Sequence, residues 1–177
     1  MPQIKSHHEG RFLSLREIND WEFVTRPNAN GVVGIFALTT DRQVILIEQY
    51  RRPVNSRVLE ICAGLIGDEE NFENESITEC ANRELIEETG YTAGRMSPLI
   101  NSPTSAGMTD EMTYFFLAED CVKIGEGGGL GGENISTHLV NLEDLGHFMH
   151  AKNQAGVLVD FKIHACLAAI DLLEAEG

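Results

Sequence analysis

The chain has 177 residues, 42% of them hydrophobic, about one domain's length with enough apolar material for a core. Its formal charge of -15, from 28 acidic against 13 basic residues, excludes a nucleic-acid binder, because displacing phosphate counterions takes clustered Lys and Arg. The opening "MPQIKSHHEG" is polar and lacks the apolar stretch of a signal peptide, and no segment approaches the run of about 18 apolar residues that spans a membrane. A single domain over 1–177, with no membrane partner and a cytoplasmic location, is the expectation. Cys62, Cys80, Cys121 and Cys166 are widely spaced with no C-x-x-C pair, so buried free thiols are expected, with two disulfides or a zinc site as alternatives.

In chain order, "WEFVTR" (21–26), "GVVGIFAL" (31–38) and "QVILIEQ" (43–49) are short β-branched or aromatic runs, with "TTDR" between the last two reading as a hairpin turn. "RVLEIC" (57–62) is a further strand, and "AGLIGDEENFEN" (63–74), acidic and Gly-containing, reads as a loop. From about Glu75 to Thr89 the spacing becomes helical, with Ile77, Ala81 and Leu85 forming a core-facing stripe. Ser76 with Glu79 makes a capping box, and Gly90 stands where the helix should stop. "MTYFFLAE" (112–119) and "ISTHLVNL" (135–142) read as strands on either side of the Gly-rich "GEGGGLGGEN" (125–134). "EDLGHFMHAK" is a short amphipathic helix, and "DFKIHACLAAIDLLEAEG" a longer one with Ile163, Cys166, Leu167, Ile170 and Leu173 on one side. Strands before and after a central helix, with helices at the end, predict an α+β or αβα sandwich.

The central helix carries an unusual charge. Asp68 to Glu88 hold nine acids and one base, Arg83, which has Glu79 four residues before it and Glu87 four after and pairs with either on a helix. Glu84 and Glu88 lie side by side with no basic neighbour three or four positions away, flanking the apolar stripe. Two such carboxylates call for a cation from elsewhere, and hard oxygen donors suit Mg²⁺ or Mn²⁺. The alternative is a solvated acidic face.

Glu75, seven intervening residues, then Arg83, Glu84, Leu85, Glu87, Glu88, Gly90 and Tyr91 resemble the Nudix hydrolase box, G-x5-E-x7-R-E-U-x-E-E-x-G-U. The box glycine would fall at 69, which is Glu69; Gly64 is its nearest equivalent and leaves five extra residues in the loop. The resemblance implies a Nudix-type αβα sandwich with a mixed sheet and a small N-terminal antiparallel sheet. It implies Glu84 and Glu88 as metal ligands together with the carbonyl of Ala63, Glu87 close by, Arg83 orienting a glutamate, and Glu75 assisting from the helix start. Mg²⁺ is the implied cofactor, with Mn²⁺ an alternative.

Beyond the box, "QYRRP" (49–53) and "EICAGL" (60–65) are similar to the ADP-ribose pyrophosphatase branch, with Cys62 where that branch has proline. "SAGMTDE" (105–111) resembles its substrate loop, with Ala106 where a proline is usual, and "GGENISTHLV" (131–140) resembles its acidic loop, with Gly131 where some relatives have a second acid. The resemblance implies hydrolysis of ADP-ribose to AMP and ribose 5-phosphate, with another nucleoside diphosphate sugar such as UDP-glucose or GDP-mannose, or a non-catalytic nucleotide-binding module, as alternatives. Glu133 is then the general base or a further metal ligand, or residues 125–132 are only a flexible hairpin. Arg51 is a phosphate clamp or a surface arginine, Trp21 a base-stacking platform or a packing residue, and Glu111 a ribose contact. Arg26 and Arg57 are weaker phosphate candidates that alternatively pair with nearby acids. The histidines, His138, His147 and His164 among them, lack ligand-like spacing. A homodimer is implied, in which the N-terminal strands, about 1–30, help to build the partner's site.

Overall fold

The structure, a computed structural model, describes residues 4–67, 75–129, 132 and 134–175. A three-stranded antiparallel sheet comes first, formed by β1 (Lys5–Glu9), β2 (Ser14–Ile18) and β3 (Trp21–Thr25). The second sheet is mixed and has nine strands: β4 (Val32–Thr39), β5 (Gln43–Arg51), β6 (Ser56–Glu60), β7 (Cys62–Leu65), β8 (Tyr91–Thr92), β9 (Arg95–Pro103), β10 (Met112–Lys123), β11 (Ser136–Asn141) and β12 (Leu158–Val159). Among the described residues three α-helices accompany it, α1 (Ile77–Thr89), α2 (Leu145–Gln154) and α3 (Phe161–Ala175).

Strand β4 organises the large sheet. One of its edges runs parallel to β10, from Val32 beside Thr113 to Thr39 beside Cys121. The other edge is divided: Ala37 and Leu38 pair with Ile45 and Val44 of β5, whereas Val32–Ile35 pair with Leu65–Cys62 of β7. The sheet therefore splits, with β5 and β6 diverging from β4 while β7 takes their place. "RVLEIC" is broken at Ile61 to allow this, and residues 63–65, expected in a loop, belong to β7.

Alternation along β4 sorts the core into two layers. Val33, Ile35 and Ala37 face α1 and pack with Ala81, Leu85 and Phe116, while Phe36 and Leu38 face Leu145 and Met149 of α2 and Ile163 and Cys166 of α3. The αβα sandwich with a mixed sheet and a small N-terminal sheet is the observed architecture. Helix α1 starts in the expected capping box, in which Glu79 N–H donates to Ser76 Oγ and Ser76 N–H to the Glu79 carboxylate. It stops at Gly90, whose φ of 76° suits a residue without a β-carbon.

Other expectations need correction. Strands β1, β2 and β9 went unseen in the residue pattern because β1 is wholly exposed and β9, with two prolines, is largely so; neither shows the alternation of a half-buried strand. Strand β10 runs on to Lys123, bulging between Ala118 and Cys121. Leu173 is 54% exposed rather than core, while Leu167 and Ile170 do pack inward. All four cysteines are free and buried, and burial raises the Cys80 and Cys166 thiols to about 12 and Cys121 to about 11. Among the described residues no helix is long and apolar enough to cross a membrane.

On the α2 side, Glu48 of β5 is buried and accepts from Lys152 Nζ at 2.6 Å and Arg57 Nε at 2.5 Å, with His138 Nε2 at 3.1 Å. Arg57 and His138 thus serve this network and not a phosphate or metal. Burial opposes the charge of Glu48, but the three partners win and hold its carboxyl at about 2, below an ordinary 4.5. The folded state binds this proton less readily than the unfolded chain, so the stabilisation is complete above about pH 4.5 and fades as pH falls towards 2. Urea denaturation is expected to show Glu48→Gln less stable than the parent by on the order of 2 kcal/mol at pH 6, with the gap narrowing progressively between about pH 4.5 and 2.

Candidate active site

The divided edge of β4 opens a cleft of about 510 Å³. Gln49, Arg51 and Glu60 line it from β5 and β6; Val32, Ala63, Gly64 and Leu65 from β4 and β7; Glu84, Glu87 and Glu88 from α1; Arg26, Thr104, Glu111, Thr113 and Lys162 close it. Six of the predicted site residues, Arg51, Ala63, Glu84, Glu87, Glu88 and Glu111, are therefore brought together. Arg83 adjoins them through its ion pairs with Glu84 and Glu87. Glu133 and Gly131 lie outside the described residues, as does Glu69.

Helix α1 reaches the cleft because Ala81 and Leu85 anchor it to the sheet, which turns positions 84, 87 and 88 towards β7. Glu88 is only 6% exposed, and its Oε2 accepts the Ala63 N–H at 3.0 Å, joining helix to strand. Glu84 occupies the space that a side chain at 64 would fill: a β-carbon there would sit 1.9 Å from Glu84 Cδ. Gly64 thus leaves the room that the Glu84 side chain occupies. Cys62 lies beside Glu88, and burial together with that carboxylate raises its thiol well above its usual range.

The expectation that Glu84 has no basic partner is overturned. Arg83 Nη1 donates to Glu84 at 2.8 Å and to Glu87 at 3.1 Å, and Arg83 Nε to Glu75 at 3.2 Å. Neighbours at i+1 on a helix diverge, but the long guanidinium bends back across the turn to reach both faces. Glu79 does not pair with Arg83, being engaged in the capping box. Burial works to lower the guanidinium pKa, yet Glu84, Glu75 and Glu87 raise it, so the charge is firmly held.

The other cations of the cleft are also engaged. Arg51 donates to both Glu60 oxygens, at 2.7 and 3.1 Å, a bidentate pair that raises its pKa against burial. Arg26 Nε donates to Glu111 at 2.5 Å, and Lys162 pairs with Asp160. Trp21 is 61% exposed and is not part of the cleft wall; its Nε1 donates to the Gly107 carbonyl at 3.2 Å. With Val24 N–H donating to Met108 at 2.8 Å, this bond seats the small sheet on the loop of residues 105–111.

Glu60, Gln49, Thr104, Thr113 and Lys162 were not picked out as site residues. Glu60 had a usable signal: the period of two shared by Gln49, Arg51 and Glu60 across paired strands puts all three on one face. Lys162 had none, because only α3's docking brings it over.

Among the described residues five carboxylates against three cations line the cleft, and hard oxygen donors from Glu84, Glu87, Glu88 and the Ala63 carbonyl suit a divalent cation. Among the described residues the one trio of ligand atoms all within 4.8 Å of one another is instead His7, Glu17 and Glu22 on the small sheet, where Lys5 also donates to Glu17 at 3.2 Å.

The family model for the NUDIX domain matches residues 29–161, three quarters of the chain and the whole of the cleft wall except Arg26 and Lys162. The chain belongs to the Nudix family. Among curated relatives, it is 37% identical over 109 residues to the methanol dehydrogenase activator of Bacillus methanolicus, covering 62% of this chain and 55% of that one. It is 35% identical over 126 residues to the ADP-ribose pyrophosphatase of Bacillus subtilis (strain 168), covering 70% and 63%. The GDP-mannose pyrophosphatase of Enterobacter sp. (strain 638) is 32% identical over 114 residues, with coverage of 60% and 56%. The chain thus spans less than two thirds of the length of each of these relatives. The crystal structure of an ADP compounds hydrolase superposes with a TM-score of 0.70 at 22% identity, covering 99% of this chain and 94% of that one, which shows the same fold.

Gly64→Ala is expected to leave the fold intact, since the Glu84 side chain has room to swing away, but to weaken Mn²⁺ binding about 10–100-fold in an electron paramagnetic resonance titration.

Proposed function

We propose that this protein hydrolyses the pyrophosphate bond of a nucleoside diphosphate sugar, ADP-ribose giving AMP and ribose 5-phosphate, with Mg²⁺ as the cofactor and Mn²⁺ as a substitute. The observation that carries the reading is the set of three carboxylates, Glu84, Glu87 and Glu88, turned from one helix into a 510 Å³ cleft whose cations are already committed to ion pairs. A diphosphate bridge with about two negative charges is repelled there unless a divalent ion intervenes. When bound, that ion supplies charge neutralisation at the phosphoryl oxygens and lowers the pKa of water.

Within this reading Glu84, Glu88 and the Ala63 carbonyl hold the ion. Glu87 assists, and Arg83 fixes the directions of Glu84 and Glu87. Arg51 meets the phosphates with its planar fork, which Glu60 pre-orients, and Lys162 approaches from the opposite wall. Glu111, paired with Arg26, faces the ribose. Glu133 is the general base or a further metal ligand, removing the proton of the attacking water in the first case. Trp21, through its bond to Gly107, shapes the substrate loop and offers its exposed ring to a nucleobase.

A GDP-mannose-type substrate is the second reading, favoured by Ala106 in place of the expected proline and by the GDP-mannose pyrophosphatase relatives. A panel of nucleotide sugars with Mg²⁺ in ¹⁸O water, read by mass spectrometry, tests both readings, and ADP-ribose is expected to be cleaved fastest. Glu88→Gln is expected to abolish turnover, and Glu133→Gln to slow it about 10²-fold or more with near-normal folding.

The proposed assembly is a homodimer. Ile4, Phe12, Leu13 and Trp21 leave apolar surface exposed along the small sheet, an arrangement that suits burial against a second copy. Sedimentation velocity is expected to give twice the 19.5 kDa chain mass, and Phe12→Asp with Leu13→Asp to return the monomer.

A further inference from the structure

The chain leaving β10 does not run free into the Gly-rich segment. Ile124 and Gly125 N–H groups donate to the Gly90 carbonyl at 2.8 and 3.0 Å, Gly128 N–H to the Glu88 carbonyl at 2.8 Å, and Gly129 N–H to the Glu87 carbonyl at 3.0 Å. The last carbonyls of a helix have no partner within it, so this segment satisfies the end of α1 by lying across it. The Gly128 carbonyl in turn accepts from Ile135 N–H at 3.4 Å, immediately before β11. Gly128 and Gly129 are thus tied to the backbone of two residues whose side chains line the cleft.

The contact is too close for a side chain. A β-carbon at Gly127, where φ is +68°, would stand 2.4 Å from the Thr89 carbonyl carbon and 2.6 Å from Gly90 N. At Gly125 in the same segment the nearest atom would be Gly90 Cα at 3.9 Å, an ordinary contact. At Gly128 nothing lies within 4 Å, although φ is +104°. Composition alone makes these glycines look interchangeable; the geometry separates them.

We propose that Gly127 is a positioning residue for the hydrolysis proposed above, on which this inference rests: by letting residues 127–129 lock onto the last turn of α1, it fixes the chain in register with Glu87 and Glu88 at the point from which it runs on to Glu133. Residues 125–129 act as a splint on the carboxylate helix.

Gly127→Ala, Gly128→Ala and Gly125→Ala would be compared with the parent for kcat and KM on ADP-ribose, Mn²⁺ affinity by electron paramagnetic resonance, and amide hydrogen exchange at 128 and 129. Gly127→Ala is expected to lose exchange protection at both amides and about tenfold or more in kcat, with KM and Mn²⁺ affinity within about threefold of the parent. Gly128→Ala, strained but unobstructed, should move the same way by a few-fold and keeps the test open if Gly127→Ala does not fold; Gly125→Ala should match the parent. Faster exchange with unchanged kcat, Mn²⁺ affinity falling in step with kcat, or equal losses at Gly125→Ala would each overturn the positioning role while leaving hydrolysis standing. A parent inert towards every nucleotide sugar with Mg²⁺ would bring down the hydrolytic reading and this role with it.

Discussion

Arg83 makes the acidic helix possible. Glu75, Glu84 and Glu87 all bond to its single guanidinium, which is mostly screened from solvent, and without it three carboxylates would repel one another where water cannot shield them. One cation cannot neutralise three anions, so a negative balance survives at the cleft wall, and that residual charge suits the site to a divalent ion. The same guanidinium fixes the directions of Glu84 and Glu87, and Glu88 is fixed independently through the Ala63 amide. The acids are thus held by two separate anchors, one within the helix and one on the sheet.

The cleft itself is a consequence of strand pairing. Because β4 gives up β5 after two residue pairs and takes β7 in its place, a gap opens between two strands that would otherwise be neighbours. Side chains alternating along β5 and β6 send Gln49, Arg51 and Glu60 into this gap, while Glu48 and Arg57 go to the opposite face. Two ion-pair systems of similar composition therefore serve different ends on the two faces of one sheet. The Glu48 network, closed in by α2, braces the fold; the Arg51–Glu60 pair, open to the cleft, presents a pre-oriented guanidinium.

Close backbone approach recurs around α1. Gly64 gives room to Glu84 on one side of the helix, and Gly127 gives room to its last turn at the far end. Both ends of the carboxylate row are thereby set against main chain, which has no rotamers to change.

The sequence by itself determined α1, its capping box, its stop at Gly90 and its acid spacing, because helix signals are local: the period, cap and terminator all fall within about four turns. It determined the family for the same reason, since the box is a short pattern of fixed spacing. The αβα sandwich was also legible, from strands before and after a central helix with further helices at the end. Tertiary structure alone decided which cations face the cleft. Arg51 and Glu60 meet across a strand pair, Arg26 and Glu111 are 85 positions apart, and Lys162 arrives on a helix whose docking no local pattern encodes. Tertiary structure also decided that Glu84 has a basic partner, because a long guanidinium folds back in a way that helical spacing rules ignore. Local periodicity fixes which side of an element a residue occupies; what it meets there depends on contacts between elements far apart in the chain.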